Sequence, residues 1–200
     1  MSAATVIWPV YFKSEYSQYP GVMSISALLR EHGVRSEVVP ADVEQVSRRL
    51  GEVERPILAY STPTTYYSLY RGLNERLRAR FPDALSVFGG PHPTYFPEMI
   101  EDDLVDGVCR GEGEHAMLDL ARAWAAGESI TGIDNWWIKQ DGQVHKNPVR
   151  PLIEDLDGLP LPDHEAFRHA MSRAVEQVVV ITGRGCPHSC TYCYNHVYRK

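Results

Sequence analysis

The sequence predicts an α/β fold in which a doubly wound parallel sheet is covered by helices on both faces. Five short apolar segments, rich in β-branched and aromatic residues, alternate with five segments whose apolar residues recur at helical spacing. This alternation is typical of parallel strands that are joined by crossover helices. Ligands of such sheets bind where the strands end, so the turns that follow the strands are the first place to look for function.

The elements follow one another along the chain at short intervals. The strands are expected over residues 5–12, 35–39, 56–60, 85–88 and 105–109. The expected helices are one that starts at Pro20 and is closed by Gly33, one that is capped by Asp42 with Gln45, one that is capped by the polar turn 61–65 and buries Tyr66, Leu69, Tyr70, Leu73 and Leu77, a short one around residues 98–102, and one that ends at Gly127.

The pattern changes after Gly132. Segments 136–138 and 144–146 flank Asp141 and Gly142, which predicts a two-stranded hairpin extension. An acidic, proline-punctuated stretch over residues 151–163 is then expected to be an interdomain linker, and residues 165–173 are expected to form one more helix. We therefore divide the chain into a sheet domain (1–130), a hairpin with linker (131–174) and the start of a second domain (175–200).

Composition limits the classes of partner. The net charge is −6 and no cluster of lysine and arginine stands out, so neither nucleic acid nor an anionic membrane is expected as a partner. No signal peptide and no bilayer-spanning apolar segment is evident, which predicts a cytoplasmic protein. Four cysteines, three of them close together, suit a metal site in a reducing compartment better than a disulfide framework.

Those three cysteines form the most informative motif. Cys186, Cys190 and Cys193 make a CxxxCxxC array directly behind the apolar run 178–181, which is expected to be a strand that carries the cysteine loop. Three thiolates on one loop leave a position open on a soft metal centre. Zinc is the alternative, with His188 or Cys109 as the fourth ligand, although structural zinc sites usually use CxxC pairs. Cys109 ends an apolar strand and is otherwise expected to be a buried small hydrophobe.

With Tyr192 before the last cysteine, the array resembles the cluster loop of radical S-adenosylmethionine (SAM) enzymes. The resemblance implies a [4Fe-4S] cluster on Cys186, Cys190 and Cys193, SAM on the fourth iron, and release of a 5′-deoxyadenosyl radical by an electron from a flavodoxin or ferredoxin. It places Tyr192 near the adenine; the alternative is a ring packed under the loop. Residues 175–200 would then open a truncated partial barrel, and the chain, as the N-terminal part of an enzyme, is expected to be inactive alone.

The turns after the third, fourth and fifth strands carry a second resemblance. The segments FGGPHPT and RGEGE, set ahead of the cysteine loop, resemble the Rossmann-like (flavodoxin-like) cobalamin-binding domain that precedes many radical SAM enzymes. Glycines in such turns let the backbone approach a large planar ligand. The resemblance places cobalamin against Ser61, Thr62, Gly89, Gly90, His92, Gly111, Glu112 and Gly113.

One departure concerns the axial ligand of cobalt. Many cobalamin-binding domains carry a DxHxxG motif after the first strand, and residues 10–21 contain no histidine, so no imidazole comes from that loop. His92 either approaches the ligand or braces a turn between two prolines.

Other classes remain as alternatives. The segment GEGEHA matches GxGxxA of nicotinamide- and flavin-binding folds, but Glu112 and Glu114 would place negative charge against a pyrophosphate; either is better suited to stabilise a helix N-terminus. Methylthiotransferases need three further cysteines, and only Cys109 is available. The expected function is thus cobalamin-dependent radical SAM methyl transfer, cyclisation or rearrangement at an unactivated carbon of a small molecule. A non-enzymatic cobalamin carrier or sensor and a zinc-binding interaction module remain as alternatives.

Overall fold

A computed structural model describes residues 4–12, 19–171, 178–193 and 195. Seven strands form one sheet in the order β2-β1-β3-β4-β5-β6-β7, and the first five of these are parallel. The predicted doubly wound parallel sheet is therefore confirmed. The strands are β1 (Thr5–Val10), β2 (Arg35–Pro40), β3 (Pro56–Ser61), β4 (Leu85–Gly89), β5 (Gly107–Cys109), β6 (Trp136–Gln140) and β7 (Gln143–Lys146).

Helices cover both faces of this sheet. One apolar cluster joins α1 and α5 to one face, and a second cluster joins α2 and α3 to the other. Burial of these two apolar clusters is the main favourable contribution to folding. The α-helices are α1 (Pro20–Glu31), α2 (Val43–Leu50), α3 (Tyr67–Arg80), α4 (Pro91–Tyr95), α5 (Glu114–Ala126) and α6 (His164–Ala170), and two 3₁₀ helices cover Thr64–Tyr66 and Pro97–Glu101.

The ends of several helices follow the sequence signals closely. Asp42 caps α2, because its side chain accepts hydrogen bonds from the backbone N–H groups of Glu44 and Gln45. Gly127 follows α5 in the left-handed conformation (φ 71°) that favours glycine at a helix end. These caps confirm the predicted bounds of both helices.

The predicted hairpin is also confirmed, and it extends the main sheet. Strand β6 runs antiparallel to β5 and pairs Cys109 with Trp136. Its turn places Asp141 (φ 51°) and Gly142 (φ 74°) in the left-handed region, as a two-residue hairpin turn requires. The hairpin and the five parallel strands therefore belong to one sheet.

Two local predictions around α3 are wrong. The turn 61–65 does not cap this helix, because a 3₁₀ turn comes first and the N-terminus of α3 receives no side-chain hydrogen bond. Leu69 is 48% exposed, whereas Tyr70, Leu73 and Leu77 are buried. Starting the helix one turn later rotates Leu69 away from the sheet.

Strand β5 begins two residues later than predicted. Asp106 leaves the ladder, because its carboxylate accepts the Ser86 N–H (2.7 Å) and its own N–H donates to the Ser86 carbonyl (2.9 Å). Val105 is still buried, although it lies outside the strand.

The apolar run 178–181 is not a strand, which corrects the prediction that a strand carries the cysteine loop. These four residues are between 41% and 71% exposed, and all strands of the described chain belong to the one sheet that ends at β7. Isolated β structure is marginal without neighbouring strands, so the run stays irregular here. The last residues of the predicted helix 165–173 lie outside the described residues, as does the boundary placed at 174.

No helix in the described ranges has the length and hydropathy that crossing a bilayer requires.

Candidate functional site

The turns after β3, β4 and β5 are joined to one another by hydrogen bonds. The N–H of Thr62 donates to the carbonyl of Gly89 (2.8 Å), and the N–H of His92 donates to the carbonyl of Thr62 (3.0 Å). Thr94 then links the next turn, because its hydroxyl donates to the Gly90 carbonyl (2.8 Å) and accepts the Gly111 N–H (3.1 Å). These bonds hold the three turns as one surface at the carboxyl edge of the sheet.

The turn of residues 110–114, RGEGE, is held from the other side by a buried asparagine. The side-chain amide of Asn135 donates to the carbonyls of Arg110 (2.8 Å) and Glu112 (2.9 Å). Its oxygen accepts the N–H of Arg150 at the start of the linker (2.9 Å). One side chain thus fixes both the turn and the chain that leaves the hairpin.

A cavity of about 1280 Å³ opens above this edge. It is larger than the ~300–1,000 Å³ of an ordinary small-molecule site, which suits a ligand the size of a corrinoid. Its walls come from three parts of the chain: the strand ends, the linker and the segment before the cysteines. The lining includes Trp8, Tyr19, Ser24, Ile25, Tyr60, Ser61, Tyr66, Gly89, Gly90, Cys109, Gly111, Glu112, Gly113, Glu114, Met117, Trp136, Leu152, Leu156, Leu159, Leu161 and residues 179–185.

The glycines of the floor are required by the space available to them. Gly90 has a φ of 96°, and a Cβ there would lie 3.1 Å from the Thr62 backbone nitrogen. A Cβ on Gly113 would lie 2.8 Å from Cδ1 of Ile25, which also lines the cavity. The backbone itself therefore forms the surface that a flat ligand would meet. The apolar and aromatic walls and the bare floor together fit a cobalamin.

Most of the predicted cobalamin contacts line the cavity, namely Ser61, Gly89, Gly90, Gly111, Glu112 and Gly113. Thr62 and His92 do not. The Thr62 side chain is fully buried and donates to the Tyr60 carbonyl (3.3 Å), so it stabilises the turn from below.

His92 stacks on Tyr67 with ring centroids 4.4 Å apart and lies within 3.3 Å of the Thr64 hydroxyl. Burial lowers the pKa of His92 despite the nearby Glu98 carboxylate, so the ring is neutral at pH 7. Of its two sequence interpretations, the structure favours the brace of the turn.

Two glutamates of the RGEGE turn meet an arginine from the segment before the cysteines. Arg184 places Nη1 2.9 Å from Glu112 Oε1 and Nη2 2.5 Å from Glu114 Oε1. Burial lowers the pKa of Arg184, but the hydrogen bond to Glu112 and the charge of Glu114 raise it by more. Arg184 is thus a cation held between two carboxylates, and the predicted negative charge of this turn is neutralised from within the chain.

Cys186, Cys190 and Cys193 are partly or fully exposed, and the Cys193 N–H donates to the Cys190 carbonyl (3.1 Å). Among the described residues, no group of three or more His, Cys, Asp or Glu side chains is gathered closely enough to hold a metal ion. The donor set, three thiols with a free fourth position, fits an iron–sulfur cluster in its chemistry. Tyr192 is 91% exposed, so it is not packed under the loop.

Cys109 is buried under the cavity floor, where a Cβ on Gly89 would touch it at 3.5 Å. Burial raises the pKa of its thiol to about 12, with a further increase from Glu114. A neutral thiol is a poor metal ligand. This supports the prediction of a buried small hydrophobe and argues against Cys109 as a fourth zinc ligand.

The sequence analysis missed three kinds of site residue: Arg184, Asn135 and the aromatic wall of Trp8, Tyr19, Tyr66 and Trp136. A signal existed for Arg184, because a basic residue two positions before a cysteine motif complements an acidic turn. Asn135 offered a weaker one, since asparagine tolerates the positive φ (74°) that it has here.

Comparison with known proteins agrees with this geometry. Residues 15–121 match the family model of the B12 binding domain. The match covers more than half of the chain, and the chain therefore belongs to the B12-binding domain family.

Its relatives include radical SAM enzymes. An uncharacterised methyltransferase of Pyrococcus horikoshii is 40% identical over 111 residues, which are 54% of this chain and 24% of the relative. The anaerobic magnesium-protoporphyrin IX monomethyl ester cyclase of Synechocystis is 30% identical over 143 residues, 68% of this chain and 28% of the relative. A cobalamin-dependent radical SAM methyltransferase of Streptomyces tokunonensis is 25% identical over 207 residues, 92% and 30% of the two chains. The chain spans about a quarter to a third of these relatives.

Two solved structures share the fold. The cobalamin-dependent SAM radical enzyme OxsB, with aqua-cobalamin and SAM bound, superposes with a TM-score of 0.68 at 14% identity over 85% of this chain and 25% of its own. The radical SAM methyltransferase TsrM of Kitasatospora setae, with cobalamin and a [4Fe-4S] cluster bound, gives 0.58 at 19% identity over 74% and 31%. The predicted resemblance to radical SAM enzymes that carry a cobalamin-binding domain is confirmed.

Proposed function

We propose that this chain binds cobalamin at the carboxyl edge of its sheet and carries a [4Fe-4S] cluster on Cys186, Cys190 and Cys193, as the N-terminal part of a cobalamin-dependent radical SAM enzyme. One observation carries the proposal. Residues 179–185, which lead into the cysteine motif, line the same cavity as the Gly89–Gly90 and Gly111–Gly113 turns. The two cofactor sites implied by the sequence therefore adjoin one another.

With its cofactors bound, such a site supplies a 5′-deoxyadenosyl radical from SAM and a methyl carrier in cobalamin. The residues of the chain provide position and exclusion of water. Backbone at Gly90 and Gly113 admits the ligand to the floor, and the aromatic and leucine walls keep the space dry. The three thiols hold the cluster, and the exposed Tyr192 ring is free to pack against the adenine of SAM.

The reaction class follows from relatives rather than from the site. The relatives are named as methyltransferases and as a cyclase, which supports methyl transfer to, or cyclisation or rearrangement of, an unactivated carbon. We propose a small-molecule substrate and an electron donor such as a flavodoxin or a ferredoxin. We also propose a cytoplasmic location, which suits three thiols that must stay reduced.

Anaerobic preparation with cobalamin, iron and sulfide, followed by a visible spectrum and metal analysis, tests the proposal. We expect cobalt, iron and sulfide in one protein. Replacing the three cysteines of the motif by alanine should remove iron and leave cobalt. Gly113→Leu should do the reverse, because its side chain would enter the cavity, whereas Gly132→Leu, with nothing within 4 Å of its Cβ position, should keep both.

Each alternative gives a different result. Cobalt without iron in the unmodified chain indicates a cobalamin carrier or sensor, and stoichiometric zinc with neither cobalt nor iron indicates a zinc-binding module. Equal cobalt retention by Gly113→Leu and the unmodified chain would place the corrin elsewhere.

A further inference from the structure

Arg184 connects two parts of the chain that are far apart in sequence. It lies two residues before Cys186, and its guanidinium contacts Glu112 and Glu114, which are 72 and 70 residues away. Nη2 also donates to the Ser24 hydroxyl on α1 (3.2 Å), 160 residues away. The backbone of this segment is irregular, so its position depends on contacts of this kind.

Glu114 explains why the contact is strong. This residue is only 3% exposed, and a carboxylate buried to that extent needs a charged or hydrogen-bonding partner. The N-terminus of α5 supplies part of that compensation, because Glu114 is in its first turn. Arg184 supplies the rest with a full opposite charge, so moving the segment away would leave a buried carboxylate unpaired.

Glu112 links a third part of the chain to the same turn. Its Oε1 accepts from Arg184, while its Oε2 accepts the backbone N–H of Ile153 in the linker (2.6 Å). Both the linker and the segment before the cysteines line the cavity. The two oxygens of one carboxylate therefore hold two walls of the cavity against the floor.

We propose that Arg184 is a positioning residue that fixes the cysteine motif against the RGEGE turn of the cobalamin-binding domain, and that Glu112 extends this clamp to the linker. The clamp sets one arrangement of the cysteine loop over the cavity floor. Its functional meaning rests on the proposed function, but the clamp itself is a property of the chain without cofactors.

The clamp is tested by thermolysin digestion of the full chain, with the cut sites mapped by mass spectrometry. The exposed valines and isoleucine of residues 178–181 and the exposed Leu152 are suitable sites. We expect Arg184→Gln and Glu114→Gln each to raise the cleavage rate at 178–181 by about tenfold, and the double variant to add little to either, because both remove one interaction. Glu112→Gln should raise cleavage at 178–181 and also at 152–153.

Two controls separate the clamp from general destabilisation. Arg168→Gln removes an ion pair with Glu165 on exposed α6 and should leave both rates unchanged. The Arg184→Gln/Glu114→Gln double variant leaves no unpaired buried charge, so it should fold even where Arg184→Gln is unstable. Arg184→Lys keeps the charge but not the fork of donors, and should restore part of the protection.

Unchanged cleavage at 178–181 in Arg184→Gln, or additive effects of Arg184→Gln and Glu114→Gln, would overturn the clamp. Selective loss at 152–153 in Glu112→Gln but not in Arg184→Gln supports the two-sided role of Glu112, and equal loss in both contradicts it. Digestion needs no cofactor, so a failure here is distinct from a failure to find cobalt and iron, which concerns the proposed function alone.

Discussion

Gly90→Ala is the substitution whose effect the structure defines most closely. Gly90 has φ 96° and ψ −164°, a conformation that is essentially restricted to glycine, and placing another residue there costs about 1–3 kcal/mol. The new Cβ would also lie 3.1 Å from the Thr62 nitrogen and 3.5 Å from the Thr62 oxygen. Those two atoms bond to Gly89 and His92, so the neighbouring backbone cannot give way cheaply.

The matched control is Gly72→Ala. Gly72 lies within α3, where nothing comes within 4 Å of its Cβ position, and alanine is a better helix former than glycine by about 0.5–1 kcal/mol. The same chemical change should therefore destabilise the protein at one position and stabilise it at the other. The two variants should differ by about 1.5–4 kcal/mol in their free energies of unfolding.

Urea unfolding followed by far-UV circular dichroism measures this difference. Thermal unfolding should shift by about 2–4 °C per kcal/mol for a chain of this size. Gly90→Ala should also lose cobalamin affinity, since Gly90 lines the cavity. Equal stability of the two variants, or a gain in Gly90→Ala, would refute the assignment of Gly90 as a strained turn against Thr62.

Three further predictions concern buried polar groups. Because burial raises the pKa of Cys109 to about 12, iodoacetamide at pH 8 should label the three motif cysteines of the metal-free chain and spare Cys109 in a mass spectrum; comparable labelling of all four would contradict this. Burial alone would raise the pKa of Asp163, but hydrogen bonds from Ser26 and Arg30 lower it, so Asp163→Asn should cost about 1–3 kcal/mol at pH 7, a cost that falls as pH drops below about 4; a pH-independent difference would count against it. Asn74→Ala should cost about 2–3 kcal/mol in urea unfolding, because two buried hydroxyls and a carbonyl would lose their partner, and a cost under about 0.5 kcal/mol would be inconsistent with that network.

The sheet was predictable because its signals are local. Apolar runs of strand length, the Asp42 cap and the glycine after α5 act within a few residues, and they agree with the observed bounds. The start of β5 was not predictable in the same way. Asp106 leaves the ladder because of a bond to Ser86, 20 residues away.

The candidate site divides along the same line. Glycines at strand ends are visible in the sequence, and those predicted at 89, 90, 111 and 113 line the cavity. Thr62 was expected beside them because it is polar and follows a strand, yet its side chain turns inward to the Tyr60 carbonyl. The role of Arg184 depends on side chains 70 or more residues away, which no local pattern encodes.

The run 178–181 shows the limit of propensity alone. Three valines and an isoleucine have high strand propensity, but a strand forms only where a neighbour completes its hydrogen bonds. Within the described residues that neighbour is absent, and the run instead lines the cavity as irregular chain.

The central claim is that one cavity brings a cobalamin and the cysteine motif together. Electron paramagnetic resonance of the full chain, loaded anaerobically with both cofactors and reduced, tests it directly. We predict that the Co(II) signal is broadened by the reduced cluster, compared with the same protein whose three motif cysteines are alanine. Identical Co(II) spectra in the two proteins, with iron and cobalt both present in the first, would contradict the claim.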